Sequence, residues 1–448
     1  MQFSLAQVQQ ATGAEMLGGT GDLQIAGWSI DSRTTNPGDL FFAVRGENFD
    51  GHAFVRAAFE RGAAAAVVSD EVESAGPLLR VPDTIHALQL LACWARRKWG
   101  GWVVAVTGSA GKTSTKDIIA ACLATRFRTG KTIGNFNNHI GLPLTLLRIS
   151  EDSEAAVVEL GMNHAGEIKY LAGIAAPQIG VVTNVGYAHV EFFDSIEGVA
   201  AAKRELIEAL PESGVAVLNA DDERVLGFRN AHPGRSITYG ISVGADVRAE
   251  NLDLRSDGAS FAVQGVLFNT VLTGRHSVSN ILAGLAVAMD FEIPLEELTP
   301  VVAGLAPARM RGEREEVRGI TILNDSYNSN PDAARSMLDV LKREPAKRRI
   351  AVLGEMLELG HMAETLHREV GAYAVQSGVD VLVGVRGASR LMVEEAKRAG
   401  LPDRAAFFFE DPEEAGDFLR EFARPGDAIL FKGSRGTHVE TALAVMER

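Results

Sequence analysis

The feature that most constrains the fold of this chain is the segment WVVAVTGSAGKTSTK, residues 102–116. A short apolar run ends at a glycine-rich turn, a Lys-Thr pair follows, and a helix-like stretch begins directly after it. Glycines let several backbone N–H groups point at one phosphate group, and a helix N-terminus adds positive potential there. The segment therefore predicts a strand, a phosphate-binding loop and a helix. The alternative is a glycine-rich turn that only ends a strand.

The residue types of this loop predict its contacts. Lys112 would reach the terminal phosphates of a nucleotide, and the Thr113 hydroxyl would lie on Mg²⁺. The standard pattern has glycine six residues before the lysine, whereas this chain has Val106 there, so the loop is a shorter form. The predicted nucleotide-contacting residues are Gly108, Ser109, Ala110, Gly111, Lys112, Thr113 and Ser114.

Apolar runs alternate with helix-like stretches along most of the chain, which predicts an α/β fold with a mostly parallel sheet. The runs WVVAV, AAVVEL, QIGVVTNV and GVAVLNA are typical of buried strands. Helices are predicted around Thr113–Thr125 and Ser195–Leu210. The more polar residues from about 246 to 272 predict an antiparallel addition.

Two changes of sequence character divide the chain. A helix-like stretch ends at Gly100-Gly101, and PARMRGE separates a helical region from the run GITIL. We therefore predict three domains: a small mixed α/β domain over 1–99, a central mononucleotide-binding domain over 100–310, and a Rossmann-like doubly wound domain over 311–448.

Composition excludes several classes of function. The 448 residues carry a formal net charge of -14 and no long basic run, so we expect no nucleic-acid partner. No apolar run approaches the ~18 residues of a membrane span. The two cysteines form no metal-type cluster, and the first residues lack a signal-peptide pattern. We expect a cytoplasmic protein, and nothing calls for more than a monomer.

Three residues after the loop are candidate metal ligands. Glu159 and His189 follow predicted strands, and the carboxyl ends of parallel strands converge on the ligand crevice. A carboxylate suits Mg²⁺, whereas imidazole prefers softer metals, so His189 by itself favours a hydrogen-bonded loop histidine. The charged neighbours Arg204 and Glu205 favour a solvated surface position for Lys203.

The order of the motifs across nearly the whole chain resembles one family, the Mur ligases of peptidoglycan synthesis. TGSAGKTSTK is similar to that family's ATP loop, and ELGMNHAGEI, NVGYAHVEFFDS and AKREL resemble its next three blocks. The resemblance implies ATP and Mg²⁺, with Glu159 and His189 on the metal. It also implies that Lys203 is carbamylated, which would turn a cation into an anion able to bind metal. The implied catalytic residues are Lys112, Lys203, His189 and Arg311.

Further segments extend the resemblance toward the nucleotide. GRHSVSNILAG resembles the adenine-side helix and implies a contact by Asn280, although Ser277 stands where the family usually has Asn. MRGE and NDSYNSNPD resemble the crossing into the third domain. They imply nucleotide contacts by Arg311, with Arg309 as the alternative register, and by Asp325.

Other segments resemble the substrate-side parts of the family. GNFNNHIGLPLTLLRI implies substrate contacts by Asn137 and Asn138. SIDSRTTNPGDLFFAVRGENFDGHAFV resembles a uridine-nucleotide-binding domain, which implies that Ser32 and Arg33 lie near the diphosphate. Arg33 could equally be a surface ion-pair partner.

The family branch is indicated by NDSYNSNPDAA, LGEMLELG and FKGSRG, which resemble the ligase that adds D-alanyl-D-alanine. The implied partners are UDP-N-acetylmuramoyl-tripeptide and D-alanyl-D-alanine, joined through an acyl phosphate, with Asn328 and Asn330 on the dipeptide. The alternatives are the preceding diamino-acid-adding ligase, a folate polyglutamate ligase, a P-loop NTPase that drives a conformational switch, and a silent binding protein.

Overall fold

The computed structural model describes residues 1–46, 49–73, 76–242 and 244–448. Glu47 and Asn48, within the segment that resembles a uridine-nucleotide domain, lie outside the described residues. Among the described helices, none combines the length and apolar character that a membrane crossing requires.

The N-terminal region is a mixed sheet with three helices. Its strands follow the order β2-β7-β6-β5-β4, with β2 antiparallel to β7 and the other pairs parallel, and β1 pairs with β3. The elements are β1 (Phe3–Ser4), β2 (Glu15–Leu17), β3 (Gln24–Ile25), β4 (Gly27–Ser29), β5 (Asp39–Phe42), β6 (Ala65–Val68), β7 (Leu78–Arg80), α1 (Leu5–Thr12), α2 (Val55–Glu60) and α3 (Thr84–Trp99).

The central region contains a seven-stranded sheet and a small antiparallel sheet. The elements are β8 (Trp102–Thr107), β9 (Thr129–Lys131), β10 (Ala155–Glu159), β11 (Ile179–Val182), β12 (Val215–Asn219), β13 (Arg235–Gly240), β14 (Val247–Arg248), β15 (Glu250–Arg255), β16 (Gly258–Val263), β17 (Val266–Thr270), α4 (Lys112–Leu123), α5 (Gly141–Arg148), α6 (Glu167–Ala175), α7 (Ile196–Glu208), α8 (Glu223–Gly227), α9 (Gly274–Asp290) and α10 (Leu295–Ala303).

The large central sheet is entirely parallel, in the order β14-β13-β12-β11-β8-β10-β9. Its valine-rich inner strands are buried, as expected for a sheet covered on both faces. Strand β8 lies between β11 and β10, so the strand order reverses there. A ligand crevice forms at such a point, outside the carboxyl ends of the strands.

The C-terminal region repeats this architecture. Its sheet has the order β18-β19-β23-β20-β21-β22, parallel except for the antiparallel edge strand β18. The elements are β18 (Glu313–Val317), β19 (Ile320–Asn324), β20 (Arg348–Gly354), β21 (Val381–Val385), β22 (Ala406–Phe409), β23 (Asp427–Lys432), α11 (Pro331–Arg343), α12 (Ala363–Gln376), α13 (Ser389–Arg398), α14 (Pro412–Phe422) and α15 (Val439–Glu447).

The predicted α/β fold with a central parallel sheet and a doubly wound third region is confirmed, and two details differ. Strand β14 belongs to the central parallel sheet, whereas the sequence placed residues 246–272 together in an antiparallel addition, which is formed by β15, β16 and β17. Strand β18 is a charged edge strand, EREEV, without the apolar run that marks a buried strand.

The N-terminal region is held against the central one by packing and by polar contacts. The indole of Trp28 donates to the carbonyl of Leu147 at 3.0 Å, and Arg96 donates to the carbonyl of Ala175 at 2.8 Å. One cluster of buried apolar residues continues from α1 and α3 to α5 and α6. The domain limits at 99/100 and 310/311 stay predictions; residues 100–101 and 304–312 connect the elements on either side of them.

Candidate active site

A cleft of about 920 Å³ lies between the central and C-terminal regions. Most of the predicted site residues line it: Ser109, Ala110, Gly111, Lys112, Thr113, Ser114, Asn137, Asn138, Glu159, His189, Asn280, Arg311, Asp325, Asn328 and Asn330. Within the described part of the chain, four predicted residues are not in its lining: Ser32, Arg33, Gly108 and Lys203.

The loop after β8 is shaped by its neighbours. Gly108 has φ 149°, and a Cβ there would overlap the hydroxyl of Thr183, so glycine is required. The Ser109 hydroxyl donates to the carbonyl of Gly186 at 3.0 Å. The side-chain oxygen of Asn184 accepts from the backbone N–H of Ala110 at 2.9 Å. These contacts fix the loop before a nucleotide arrives.

Helix α4 begins at Lys112, so the free N–H groups of its first turn face the cleft. The ammonium of Lys112 donates to the carbonyl of Gly108 at 2.7 Å, which folds the side chain back over the loop. Burial lowers the pKa of Lys112, and the carboxylate of Glu159 opposes that shift. A phosphate group in the loop would give this lysine a directly bound anionic partner.

Thr113 and Glu159 are brought together as the sequence predicts. The Thr113 hydroxyl donates to Oε2 of Glu159 at 2.8 Å, and the amide of Asn137 donates to Oε1 at the same distance. Glu159 is buried, at 3% exposure, because it ends strand β10, which lies between β8 and β9 in the parallel sheet. Asn138 has a different task, since its side-chain oxygen accepts from the N–H of Gly141 at the start of α5.

His189 contacts a residue that the sequence did not single out. Its Nδ1 lies 2.6 Å from Oε2 of Glu358, which belongs to the C-terminal region. This contact holds the pKa of Glu358 below its usual value. The third region therefore reaches the predicted metal-binding side of the cleft.

Lys203 is buried, at 1% exposure, which corrects the solvated position that its charged neighbours favoured. It lies on the inner face of α7 with Val199 and Leu206, while Arg204 and Glu208 pair with each other on the outer face. Burial lowers the pKa of Lys203 well below its ordinary value, and the positive charge of Lys112 acts in the same direction.

Asn280 lines the cleft from the central region and Asp325 lines it from the C-terminal region. The side-chain oxygen of Asn280 accepts from the Thr115 hydroxyl at 3.1 Å, so Asn280 packs against the phosphate loop. Asp325 is paired with Lys432 at 2.5 Å, and the same ammonium donates to the carbonyl of Asn328 at 3.0 Å. Lys432 is 2% exposed and was not predicted. Its only sequence signal is the motif FKGSRG at the end of β23.

The two candidate arginines differ in their position relative to the cleft. Arg311 lines the cleft, and its guanidinium lies 4.0 Å from the ring centre of Tyr327. Arg309 is exposed and is not in the lining. Arg311 and Lys112 thus contribute positive charge from two regions of the chain.

The two asparagines of the third region differ in their contacts. Asn330 is buried and caps helix α11, because its side-chain oxygen accepts from the N–H of Ala333 at 2.9 Å. Asn328 is exposed to the cleft. The predicted dipeptide contact is therefore combined with a capping role at Asn330.

Ser32 and Arg33 belong to the N-terminal region. Arg33 is exposed and pairs with Asp31 at 2.7 Å, which is the alternative that the sequence left open. Ser32 is buried at 9% exposure. Their predicted contact with a uridine nucleotide stays a prediction.

Two further residues of the cleft wall were missed. Gln89 of α3 donates to the carbonyl of His139 at 2.9 Å and accepts from the hydroxyl of Tyr170, and both Gln89 and Tyr170 line the cleft. They tie the loop of Asn137 and Asn138 to α3 and α6. An isolated glutamine and tyrosine carry no motif by which the sequence could have indicated this.

A separate group of possible metal ligands, Asp50, His52 and Asp70, lies in the N-terminal region. Both its carboxylates already contact Arg45, and Nε2 of His52 accepts from the N–H of Ser69 at 2.9 Å. These contacts account for the group without a metal.

Family models match three parts of the chain. Residues 24–99 match the Mur ligase family catalytic domain, 106–288 the Mur ligase middle domain, and 309–435 the Mur ligase glutamate ligase domain.

Relatives match nearly the whole chain. The chain is 37% identical over 424 residues to the UDP-N-acetylmuramoyl-tripeptide--D-alanyl-D-alanine ligase of Bacillus subtilis (strain 168), covering 93% of this chain and 92% of the relative. The crystal structure of MurF from Acinetobacter baumannii has a TM-score of 0.92 at 30% identity, covering 100% of this chain and 99% of that one. MurF ligase from Thermotoga maritima in complex with ADP has a TM-score of 0.83 at 29% identity, covering 94% and 97%.

Proposed function

Because the chain belongs to the Mur ligase family, we propose that it is an ATP-dependent ligase that joins the carboxylate of UDP-N-acetylmuramoyl-tripeptide to D-alanyl-D-alanine. This step makes a peptidoglycan precursor. Relatives with this printed name are 30–37% identical over most of the chain, which supports this branch of the family over the diamino-acid-adding one.

The observation that carries the proposal is the meeting of two sets of residues in one cleft. Lys112, Thr113 and Glu159 form the phosphate side, and Arg311 faces them from the linker to the third region. Phosphoryl transfer depends chiefly on positioning and on charge neutralisation, which these residues supply. Asn328 and Asn330 lie in the same cleft, where an incoming amine could be held.

The chemistry follows from the weakness of a carboxylate as an electrophile. An oxygen of the tripeptide carboxylate attacks the γ-phosphorus of ATP, and ADP leaves, which gives an acyl phosphate. The amine of D-alanyl-D-alanine then attacks the carbonyl carbon, inorganic phosphate leaves, and a proton is lost from the nitrogen. Because two regions of the chain line the cleft, their closure on the substrates would shield the acyl phosphate from water.

The residues present fit Mg²⁺. The Thr113 hydroxyl and the Glu159 carboxylate are hard oxygen donors that lie side by side at the mouth of the phosphate loop. We assign Thr113, Glu159, His189 and a carbamylated Lys203 to hold it. When bound, Mg²⁺ would neutralise charge on the phosphate oxygens.

The buried position of Lys203 supports carbamylation. Only an unprotonated amine reacts with CO₂, and burial keeps this amine unprotonated at lower pH than a free lysine. The reaction forms an N–C bond and releases one proton, which leaves an anionic carbamate. That anion would offset the positive charge of Lys112, which is the second cause of the lowered pKa.

The remaining assignments complete the proposal. The loop residues 108–114, Asn280 and Asp325 would contact ATP, and Asn137 and Asn138 the peptide part of the acceptor. Ser32 and Arg33 would contact the uridine diphosphate. We further propose a monomer that works in the cytoplasm, where ATP is available.

The test is phosphate release from ATP by the purified full chain with UDP-N-acetylmuramoyl-tripeptide, comparing D-alanyl-D-alanine with single amino acids. We expect release only with the dipeptide, together with a pentapeptide product. Release that needs a dipeptide precursor and a diamino acid would indicate the preceding ligase, and release with neither substrate would indicate a switch-type NTPase.

A further inference from the structure

Two residues with unusual backbone conformations meet where the central and C-terminal regions touch beside the cleft. His189 has φ 63° and Glu358 has φ 62°, a left-handed conformation that side-chain-bearing residues adopt only when their surroundings hold them there. Nδ1 of His189 lies 2.6 Å from Oε2 of Glu358. One residue belongs to the central region and the other to the C-terminal region, so tertiary packing brings both strained residues to one point.

The backbones of the two segments are joined as well. The N–H of Glu191 donates to the carbonyl of Glu358 at 3.0 Å. Gly360 lies close to Glu191: a Cβ added to Gly360 would be 3.1 Å from the Cα of Glu191. These contacts hold the backbone at Glu358 next to the segment of His189. The position of the Glu358 carboxylate therefore depends on backbone packing as well as on its side-chain conformation.

Nδ1 of His189 is buried, and in the described part of the chain it makes no hydrogen bond with the usual angles. The carboxylate of Glu358 is the group that approaches it, at 2.6 Å. A histidine that uses one ring nitrogen at a reacting centre usually donates the other N–H to a carboxylate, which fixes its tautomer and orientation. The observed contact brings a carboxylate within hydrogen-bond distance of Nδ1, and His189 itself lines the cleft.

We propose that Glu358 is a positioning residue that acts through His189, holding the proton on Nδ1 and turning Nε2 toward the phosphate side of the cleft. This rests on the proposed ligase function for its kinetic part. Glu358 belongs to the third region. The orientation of the His189 ring therefore depends on the packing of that region against the central one. The motif LGEMLELG, which contains Glu358, thereby gains a role in the reaction.

The first test does not require turnover. The full chain is labelled with ¹⁵N-histidine, and the two-bond ¹⁵N–¹H spectrum at fixed pH reports the tautomer of each ring. His189 is identified by the signal that disappears in His189→Gln. We expect a protonated Nδ1 in the wild type, the same in the control Glu414→Gln, and loss of this state in Glu358→Ala. Glu414 is an exposed glutamate of the same region.

The second test is kinetic. We expect Glu358→Ala to lower kcat for dipeptide-dependent phosphate release about 10–100-fold, the range for partners that orient a ligating histidine, with the KM values for ATP and dipeptide unchanged. Glu358→Gln should recover part of the loss, because its amide oxygen can still accept from Nδ1. In a His189→Ala background, Glu358→Ala should lower kcat no further, because the imidazole through which Glu358 acts is already absent.

Glu358→Gly guards against misfolding, because glycine suits the left-handed backbone while removing the carboxylate. An unchanged His189 tautomer in Glu358→Gly, or losses that multiply in the double variant, would overturn the proposal. If the wild type shows no dipeptide-dependent release, the ligase function fails, and the tautomer spectrum alone then decides the role of Glu358.

Discussion

At the scale of single residues, Lys203 shows how burial changes the chemistry of a side chain. Its position in α7 repeats the spacing of Val199 and Leu206, which lie four residues before it and three after it on the buried face. A charged lysine there costs stability, because burial favours the neutral amine and lowers its pKa. A carbamate on this lysine would supply an anion whose charge opposes that of Lys112.

We expect Lys203→Ala to lower the rate of phosphate release about 100-fold or more, because the site would lose the carbamate anion proposed to hold Mg²⁺. Short carboxylic acids such as formate or acetate should restore part of the activity by occupying the space of the carbamate. Rescue is measured as phosphate release at rising acid concentration, with wild type as the control. A fully active Lys203→Ala variant would contradict carbamylation.

At the scale of elements, the start of α11 joins folding and function in one residue. Asn330 precedes Pro331, and its side chain accepts from the N–H of Ala333, so the predicted dipeptide ligand is also the helix cap. Helix α14 starts in the same way, with Asp411 before Pro412 and its carboxylate accepting from the N–H of Glu413 at 2.8 Å. That helix provides a matched control away from the cleft.

We expect Asn330→Ala and Asp411→Ala each to lower the free energy of unfolding by about 1 kcal/mol, because each removes an N-cap. Only Asn330→Ala should also raise the KM for the dipeptide. Unfolding in denaturant and steady-state kinetics on the same preparations separate the two effects. An unchanged KM for the dipeptide in Asn330→Ala would mean that Asn330 acts only as a helix cap. Asn328 would then be the remaining candidate for the dipeptide contact.

At the scale of the whole molecule, the third region packs against the central region at a glycine, Gly186. A Cβ on Gly186 would overlap the carboxylate of Asp332, which reaches over from α11. Gly186 also exchanges hydrogen bonds with Ser109, since its N–H donates to that hydroxyl at 2.8 Å and its carbonyl accepts from it. Gly186 therefore contacts both the phosphate loop, through Ser109, and helix α11, through Asp332.

We expect Gly186→Ala to hold the third region away from the loop and to lower kcat about 100-fold, since a displacement of roughly 1 Å has effects of this size. Asp332→Ala in the same chain should restore part of the activity by removing the overlap. Small-angle X-ray scattering would report the larger radius of gyration. Gly173→Ala is the control, because a Cβ at Gly173 meets nothing within 4 Å. Wild-type kcat in Gly186→Ala would refute this docking geometry.

Local sequence determined the apolar inner strands, the phosphate loop and the alternation of strands and helices in the two large sheets. The reason is that apolar runs, glycine turns and helix starts are decided by residues a few positions apart. The Lys112–Thr113 pair and its strand-loop-helix context follow directly from this. Family resemblance added Arg311 and Asp325 and gave roles to Glu159 and His189, and all four residues line the cleft.

Tertiary structure alone decided the contacts between distant segments. Lys432 and Asp325 are 107 residues apart, and Glu358 meets His189 from another sheet, so no local pattern indicates either pair. Strand β14 likewise joins the parallel sheet because β13 offers an open edge, although its own two residues have no strand signal. Where a side chain's neighbours come from different regions, its charge, burial and role are set by the packing of those regions and cannot be read from the residues beside it.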